Sequence, residues 1–227
     1  MFAIYKKELR SYFLSPIGYV VIGIFLICFS VLFYLTAFST GSADLGALYY
    51  YTALYGLIII VPILTMRMFA EERKTGTEQL LLTLPTGMFK IVMGKFLAAL
   101  SVVIITLIVS LMYYIILSFF GSPNISVILV HIFGFILISM AAISIGMFAS
   151  SLTENQIIAG VITVSFLVIS LFIRGVSSAL SGLTLIDYYL NFAQGVIAIE
   201  NIISLLLFTF VFTSFTIIIM KRRKLVK

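Results

Sequence analysis

Residues 96–119 read FLAALSVVIITLIVSLMYYIILSF, without a single Asp, Glu, Lys or Arg. The uncharged sequence continues through Thr153. Since a helix rises about 1.5 Å per residue, a run of this length can cross the hydrocarbon core of a bilayer, about 30 Å thick, twice. The stretch therefore predicts membrane-spanning helices.

The composition of the whole chain agrees with a membrane protein. Its 227 residues are 63% hydrophobic and 10% charged, with a mean hydropathy of +1.26, whereas soluble domains are about half apolar and a quarter charged. The lone Cys28 excludes a disulfide within the chain. We expect one domain over residues 1–227.

Outward from residues 96–119, uncharged runs of about 20 residues predict six transmembrane helices. The runs are Ile17–Phe38, Leu48–Met66, Phe96–Phe119, Val127–Ala149, Ile157–Ile173 and Ile202–Met220. Because they are continuously apolar and lack the alternation of membrane β-strands, the predicted class is an all-α membrane protein.

The distribution of basic residues predicts the orientation. With six spans, all but one of the 14 Lys and Arg residues fall on one side, and the exception is Arg174. Basic residues collect on the cytosolic side of membrane proteins. We therefore expect a multi-pass protein of the cytoplasmic (inner or plasma) membrane with both termini in the cytosol. The basic residues lie beside apolar spans, which argues against nucleic-acid binding.

Two segments outside the spans have patterns of their own. Residues 2–13 place Phe2, Tyr5, Leu9, Tyr12 and Phe13 near one stripe, which predicts an amphipathic helix in the inner interface. The segment Gly175–Glu200 mixes apolar and polar residues, and a full crossing would put the basic C-terminal residues outside. We expect it on the outer face, as short or re-entrant helices around Ile186–Ile199 broken at Gly195.

The most polar stretch, Arg67–Pro85, lies between the second and third predicted spans. Thr75 and Glu78 have the spacing of a capping box, which would start a short leucine-rich helix before Pro85 ends it. Such a helix is too short to span a bilayer and suits an apolar groove on a soluble partner. An ordinary interfacial loop is the alternative.

The segment Phe69–Pro85, FAEERKTGTEQLLLTLP, resembles the first cytosolic loop of ABC-2 type permeases. The likeness is closest to the branch associated with gliding motility and nitrous-oxide-reductase maturation. Tyr5–Pro16 and Gly94–Leu97 are similar to that branch too, and the likeness extends over the whole chain in length and topology.

The resemblance implies a permease, most simply of an exporter, that moves an unidentified substrate with ATP hydrolysed by a separate subunit. A second copy or a related permease chain would complete the path. Glu71–Leu84 would be the coupling helix that meets the ATPase, and Gly175–Glu200 would match the family's outer-face helices before the last span. From the residues themselves we expect this segment to shape the exit, because Asp187 and Glu200 would be costly at mid-bilayer, and we expect Arg174 to pair with Asp187 or to reach outer headgroups. The expected ATPase contacts are Glu71, Glu72, Gly76, Thr77, Glu78, Leu80, Leu81 and Leu84.

No Gly-x-x-x-x-Gly-Lys-Ser/Thr phosphate loop occurs in the sequence, so ATP and Mg²⁺ are expected on the partner and no cofactor in this chain. An intramembrane protease is a weaker alternative. Glu71-Glu72 resembles the paired glutamates of CAAX-type proteases, but Gly76 stands where their motif needs Arg, and His131 is the single histidine. We interpret His131 as an interfacial or packing residue. A non-transporting assembly scaffold also stays open.

Overall fold

The computed structural model describes residues 1–39, 45–79, 86–119, 121, 123–176 and 184–226, with the backbone alone at 38, 173–176 and 224–226. Every regular element in these ranges is helical, as predicted. In chain order the helices are α1 (Phe2–Leu14), α2 (Ile17–Phe33), α3 (Gly46–Tyr51), α4 (Leu57–Thr65), α5 (Ala70–Lys74), α6 (Met88–Ser118), α7 (Ile125–Leu152), α8 (Gln156–Val176), α9 (Leu185–Ala193) and α10 (Ile199–Val226). Two π-helical segments, Tyr34–Phe38 and Thr52–Gly56, extend α2 and join α3 to α4.

Five helical stretches among the described residues are long and apolar enough to cross a membrane, so the chain is a multi-pass membrane protein. They are Ile17–Ala37, Gly46–Lys74, Met88–Ser118, Ile125–Leu152 and Ile199–Arg223. These correspond to every predicted span except Ile157–Ile173. The described apolar part of α8, Gln156–Phe172, is shorter than the other five, so a sixth span stays a prediction.

Helix α7 lies at the centre of the bundle, in contact with α4, α6, α8, α9 and α10. Its small residues let the neighbours approach closely. A Cβ atom built on Gly146 would overlap Oγ1 of Thr65 in α4, so only glycine fits there. Close contact through small residues is the usual way in which helices associate in lipid, where apolar burial adds little.

Helix α1 forms as predicted, but most of its apolar stripe packs on the protein. Leu9, Tyr12 and Phe13 pack against the core, and the Tyr12 hydroxyl donates to the carbonyl of Leu64 in α4 at 2.9 Å. Burial raises the pKa of that hydroxyl, so Tyr12 stays a neutral donor. The Tyr5 hydroxyl lies 3.0 Å from Oγ of Ser101 in α6.

Helix α9 is the short helix predicted within Gly175–Glu200. It has nine residues, too few to cross a bilayer. The chain turns after it at Gly195, whose φ of +75° favours glycine, so the predicted break is in place. Helix α9 packs against α7, and Nδ1 of His131 in α7 lies 2.7 Å from the carbonyl oxygen of Phe192 in α9. His131 is buried, which agrees with a packing residue.

Candidate functional site: the loop between α4 and α6

The loop that follows α4 carries most of the predicted partner contacts, and its first turn is fixed by a serine from α7. Oγ of the buried Ser150 accepts from the backbone amides of Phe69 and Ala70, at 3.1 and 3.2 Å, and donates to the carbonyl of Met66 at 3.1 Å. The first amides of a helix have no acceptor within that helix. Ser150 therefore supplies from another helix the cap that α5 lacks locally.

Lys95, near the start of α6, is the most deeply buried charge at this loop. Its side chain is 2% exposed, and Nζ lies 2.8 Å from Oε1 of Glu72 and 3.1 Å from Oε1 of Glu8 in α1. The ring of Phe69 lies 5.3 Å from the same nitrogen. A buried ammonium is tolerated only when it is paired. Glu72 thus points into the protein, where it joins α5 to α6 and α1.

Two further ion pairs lie nearer the surface. Nε of Arg67 donates to Glu71 at 2.6 Å, and a second guanidinium nitrogen contacts the other carboxylate oxygen, which is the two-point geometry that favours arginine. Nε of Arg73 lies 2.7 Å from Glu154 in the connection between α7 and α8. The first pair stays within the loop and the second ties it to the next connection.

Glu78 contacts the last helix. Its side chain is 6% exposed, and Oε1 lies 3.1 Å from Arg223 of α10, which also donates to the carbonyl of Ser151. The predicted capping box of Thr75 and Glu78 is wrong. Oγ1 of Thr75 donates backward to the carbonyl of Glu71 at 2.9 Å, so it closes α5, while the Glu78 carboxylate is engaged by Arg223.

The tip of the loop, Lys74–Thr77, is exposed throughout. Gly76 has a φ of +75°, a conformation that L-residues avoid, and this residue ends the helix and turns the chain. Oγ1 of Thr77 lies 2.9 Å from Oγ1 of Thr75 across the turn. Among the predicted contacts, Gly76 and Thr77 are therefore presented outward, and Glu72 and Glu78 inward. Leu80, Leu81 and Leu84 lie outside the described residues.

At the opposite end of the bundle lie the two residues predicted for the exit. Asp187 is in the first turn of α9, where Oγ1 of Thr184 donates to its carboxylate at 2.6 Å. Arg174 lies near the end of α8, and its side chain is outside the described atoms. Their pairing stays a prediction.

Sequence reasoning missed the residues that hold the loop in place: Glu8, Lys95, Ser150, Glu154 and Arg223. Lys95 was the detectable one, since it starts the long uncharged run and a lysine there is either an interfacial anchor or a buried partner. Two acidic residues within reach, Glu8 and Glu72, would have favoured the second reading. Ser150 carried no signal, because serines are frequent throughout these helices.

A family model described as ABC-2 family transporter protein matches residues 49–225. The match begins in α3 and includes the loop and every later long helix. No curated protein matches the sequence.

Proposed function

The chain belongs to the ABC-2 family of transporter membrane proteins, and we propose that it is the permease subunit of an exporter driven by a separate ATPase. The ATP-binding subunit docks on the loop tip, Lys74–Thr77, and on the residues that follow it. Hydrolysis on that subunit then moves a substrate across the cytoplasmic membrane. The narrower likeness, to the gliding-motility and nitrous-oxide-reductase-maturation branch, stays a prediction from the loop sequence.

Six spans and cytosolic termini are part of this proposal. Helix α8 has 21 residues, which at about 1.5 Å per residue make about 31 Å, close to the thickness of the hydrocarbon core. Counting α8 as a span places α1, the loop and the end of α10 on one side. That side holds every Lys and Arg except Arg174, so the positive-inside rule assigns it to the cytosol.

The observation that carries the proposal is an exposed tip on firmly held supports. The tip has no buried residue, yet the flanking residues are tied to four helices: Glu72 to α6 and α1, Met66 and Ala70 to α7, and Glu78 to α10. A partner that pushes on the tip therefore displaces the ends of several helices together. Such coupling is what a permease needs when its energy comes from another subunit.

Two permease chains, identical or related, complete the transporter in this proposal. The cavity between α4, α7, α8 and α9 has a volume of about 20 Å³, room for about one water molecule. Its lining is almost entirely apolar. This cavity is too small for a cargo, which favours a path between chains, with α9 beside the exit.

The test is a charge added at the tip. Thr77→Arg changes an exposed side chain that bonds within its own turn, to Thr75 and to the carbonyl of Glu72, and Ser126→Arg adds the same charge to an exposed residue at the far end of α7. We expect the first variant to lower both recovery of the ATP-binding subunit with the chain and ATP hydrolysis in the reconstituted complex, and the second to change neither. Transport by a complex without any ATP-binding subunit would contradict the proposal.

A further inference from the structure

Helix α1 separates its residues into two faces at helical spacing. Its outward face consists of residues at i, i+3, i+4, i+7, i+8 and i+11, all of them exposed: Ala3, Lys6, Lys7, Arg10, Ser11 and Leu14. The residues between them turn inward and are half-buried: Ile4, Tyr5, Glu8, Leu9, Tyr12 and Phe13. The outward face is free of the bundle and borders a shallow hollow.

Charge is divided between the same faces. Glu8 is the acidic residue of this helix and lies on the inward face, where its Oε1 is 3.1 Å from Lys95. The outward face carries three cations. Lys7 is 65% exposed and only loosely paired, 3.6 Å from Glu8, and Lys6 and Arg10 join none of the ion pairs found among the described residues. The outward face therefore has an uncompensated positive charge.

Helix α1 directly precedes the first membrane-spanning helix. The helix ends at Leu14 and α2, the first long apolar helix, begins at Ile17. Large apolar side chains flank the cations, with Phe2 74% and Leu14 75% exposed. A basic stripe between exposed apolar residues, next to a transmembrane helix, suits a surface that is anionic at headgroup depth and apolar below.

We propose that the outward face of α1 binds the phosphate of anionic phospholipid headgroups. Lys6 and Arg10 supply the charge-assisted hydrogen bonds, and the guanidinium of Arg10 can contact two phosphate oxygens at once. Leu14 reaches the upper acyl chains beside α2. The inward face holds α1 on the protein, where Glu8 shares Lys95 with Glu72. A lipid bound on the outward face would therefore stabilise a helix that contacts the candidate site.

The size of the effect follows from the charges. Each basic side chain near an anionic surface strengthens binding by about fivefold. With Lys6 and Arg10 acting together, we expect a preference for anionic over zwitterionic lipid of about tenfold or more.

The sequence contains no tryptophan, so Leu14→Trp makes a single fluorophore at the edge of the outward face. The full-length variant is reconstituted in phosphatidylcholine vesicles that contain either brominated phosphatidylglycerol or brominated phosphatidylcholine as quencher. We expect markedly stronger quenching by the anionic lipid. Adding Lys6→Gln and Arg10→Gln should bring the two lipids to near equality, and the charge-keeping pair Lys6→Arg and Arg10→Lys should restore the preference.

The matched control is Lys221→Gln with Arg222→Gln, which removes the same charge from exposed residues at the end of α10. This control should leave the preference intact. Equal quenching by both lipids in the Leu14→Trp protein would overturn the proposal. The proposal would also be overturned if added inorganic phosphate abolished the stronger quenching by the anionic lipid. If the Lys6→Gln, Arg10→Gln protein keeps its lipid preference but no longer retains the ATP-binding subunit, the face docks that protein instead. The quenching measurement uses vesicles without ATPase, so its outcome does not depend on the proposed function, whereas retention of the ATP-binding subunit is measured separately.

Discussion

At the loop end of the bundle, where α1, α5, the start of α6 and the end of α10 meet, ion pairs join the elements: Lys95 of α6 contacts Glu72 of α5 and Glu8 of α1, and Arg223 of α10 contacts Glu78 in the loop. At the opposite end, α9 rests on α7 through aromatic rings. Tyr189 and Phe192 of α9 are completely buried, and the Tyr189 ring meets Phe135 edge-on at a centroid distance of 6.2 Å. A Cβ atom on Gly134 would overlap Phe192.

The two ends should therefore respond differently to stress. Ion pairs can exchange partners, and those near water weaken as salt is added. Aromatic packing against a glycine has a single arrangement and no charge to screen. Contacts at the loop end therefore depend on charge, whereas the opposite end holds α9 in place by shape alone. Substitutions at each end can test the difference.

The largest effect is expected from Lys95→Met at the loop end. Among the described residues the change leaves the exposed Lys7 as the remaining ion-pair partner of Glu8 and Glu72, at 3.6 and 3.9 Å. Removing one partner of a buried ion pair costs about 3 kcal/mol or more of the free energy of unfolding. Unfolding in mixed micelles measures the loss. Lys90→Met, an exposed position on the same helix, is the control and should change stability by less than about 0.5 kcal/mol. Equal losses would mean that the buried pairs contribute nothing.

Gly134→Ala should disrupt the packing of α9 on α7 at the opposite end and lower the stability of the protein. The added methyl group overlaps Phe192, and overpacking of this kind costs about 2 kcal/mol. Gly23→Ala is the matched control, because a Cβ atom there meets nothing within 4 Å and alanine favours the helix by about 1 kcal/mol. Replacing the opposing ring with a smaller side chain, in the double variant Gly134→Ala, Phe192→Leu, should recover part of the lost stability. If both glycine variants behave alike, close contact with α9 is not what holds this end.

Ser150→Ala removes the cap supplied by α7 and should cost about 1 to 2 kcal/mol. Hydrogen exchange should rise at the amides of Phe69 and Ala70, which lose their acceptor. Ser144→Ala is the control, since this buried serine of α7 donates only to the carbonyl of Ala141 in its own helix. Unchanged exchange at the two amides would show that α5 forms without the cap.

The smallest effect is expected from Arg73→Gln. Its partner Glu154 is 59% exposed, and exposed pairs contribute about 0.2 to 1 kcal/mol at low salt. We expect the difference in stability to fade as NaCl is added, while the loss in Gly134→Ala stays constant. A salt-dependent Gly134→Ala loss would contradict the contrast between the two ends.

The long helices could be predicted from the sequence because a bilayer imposes a length and an apolar composition that a single segment reveals. The loop was located for the same reason, as the most polar stretch between two apolar ones. α1 was predicted as a helix with an apolar stripe, but a stripe does not say what covers it. The hydroxyls of Tyr5 and Tyr12 have partners in α6 and α4, so the stripe of α1 is covered by other helices of the protein.

The interior of the candidate site could not be predicted, because its partners are far apart in the chain. Glu72 and Lys95 are separated by 23 residues and Glu78 and Arg223 by 145. A lysine or arginine at the end of a span has the same sequence signature whether it faces headgroups or a buried carboxylate. The capping-box prediction failed for this reason: Thr75 and Glu78 match the local pattern, and a residue from the last helix changes the outcome.

The pair between Glu78 and Arg223 also has a consequence for biosynthesis. During translation Glu78 is made 145 residues before Arg223, which at about 5 to 20 residues per second is an interval of roughly 7 to 30 seconds. Throughout that interval the nascent loop lacks its contact with α10. The loop completes its arrangement only when the final helix has been inserted, so the order of synthesis delays the mature loop until the rest of the bundle exists.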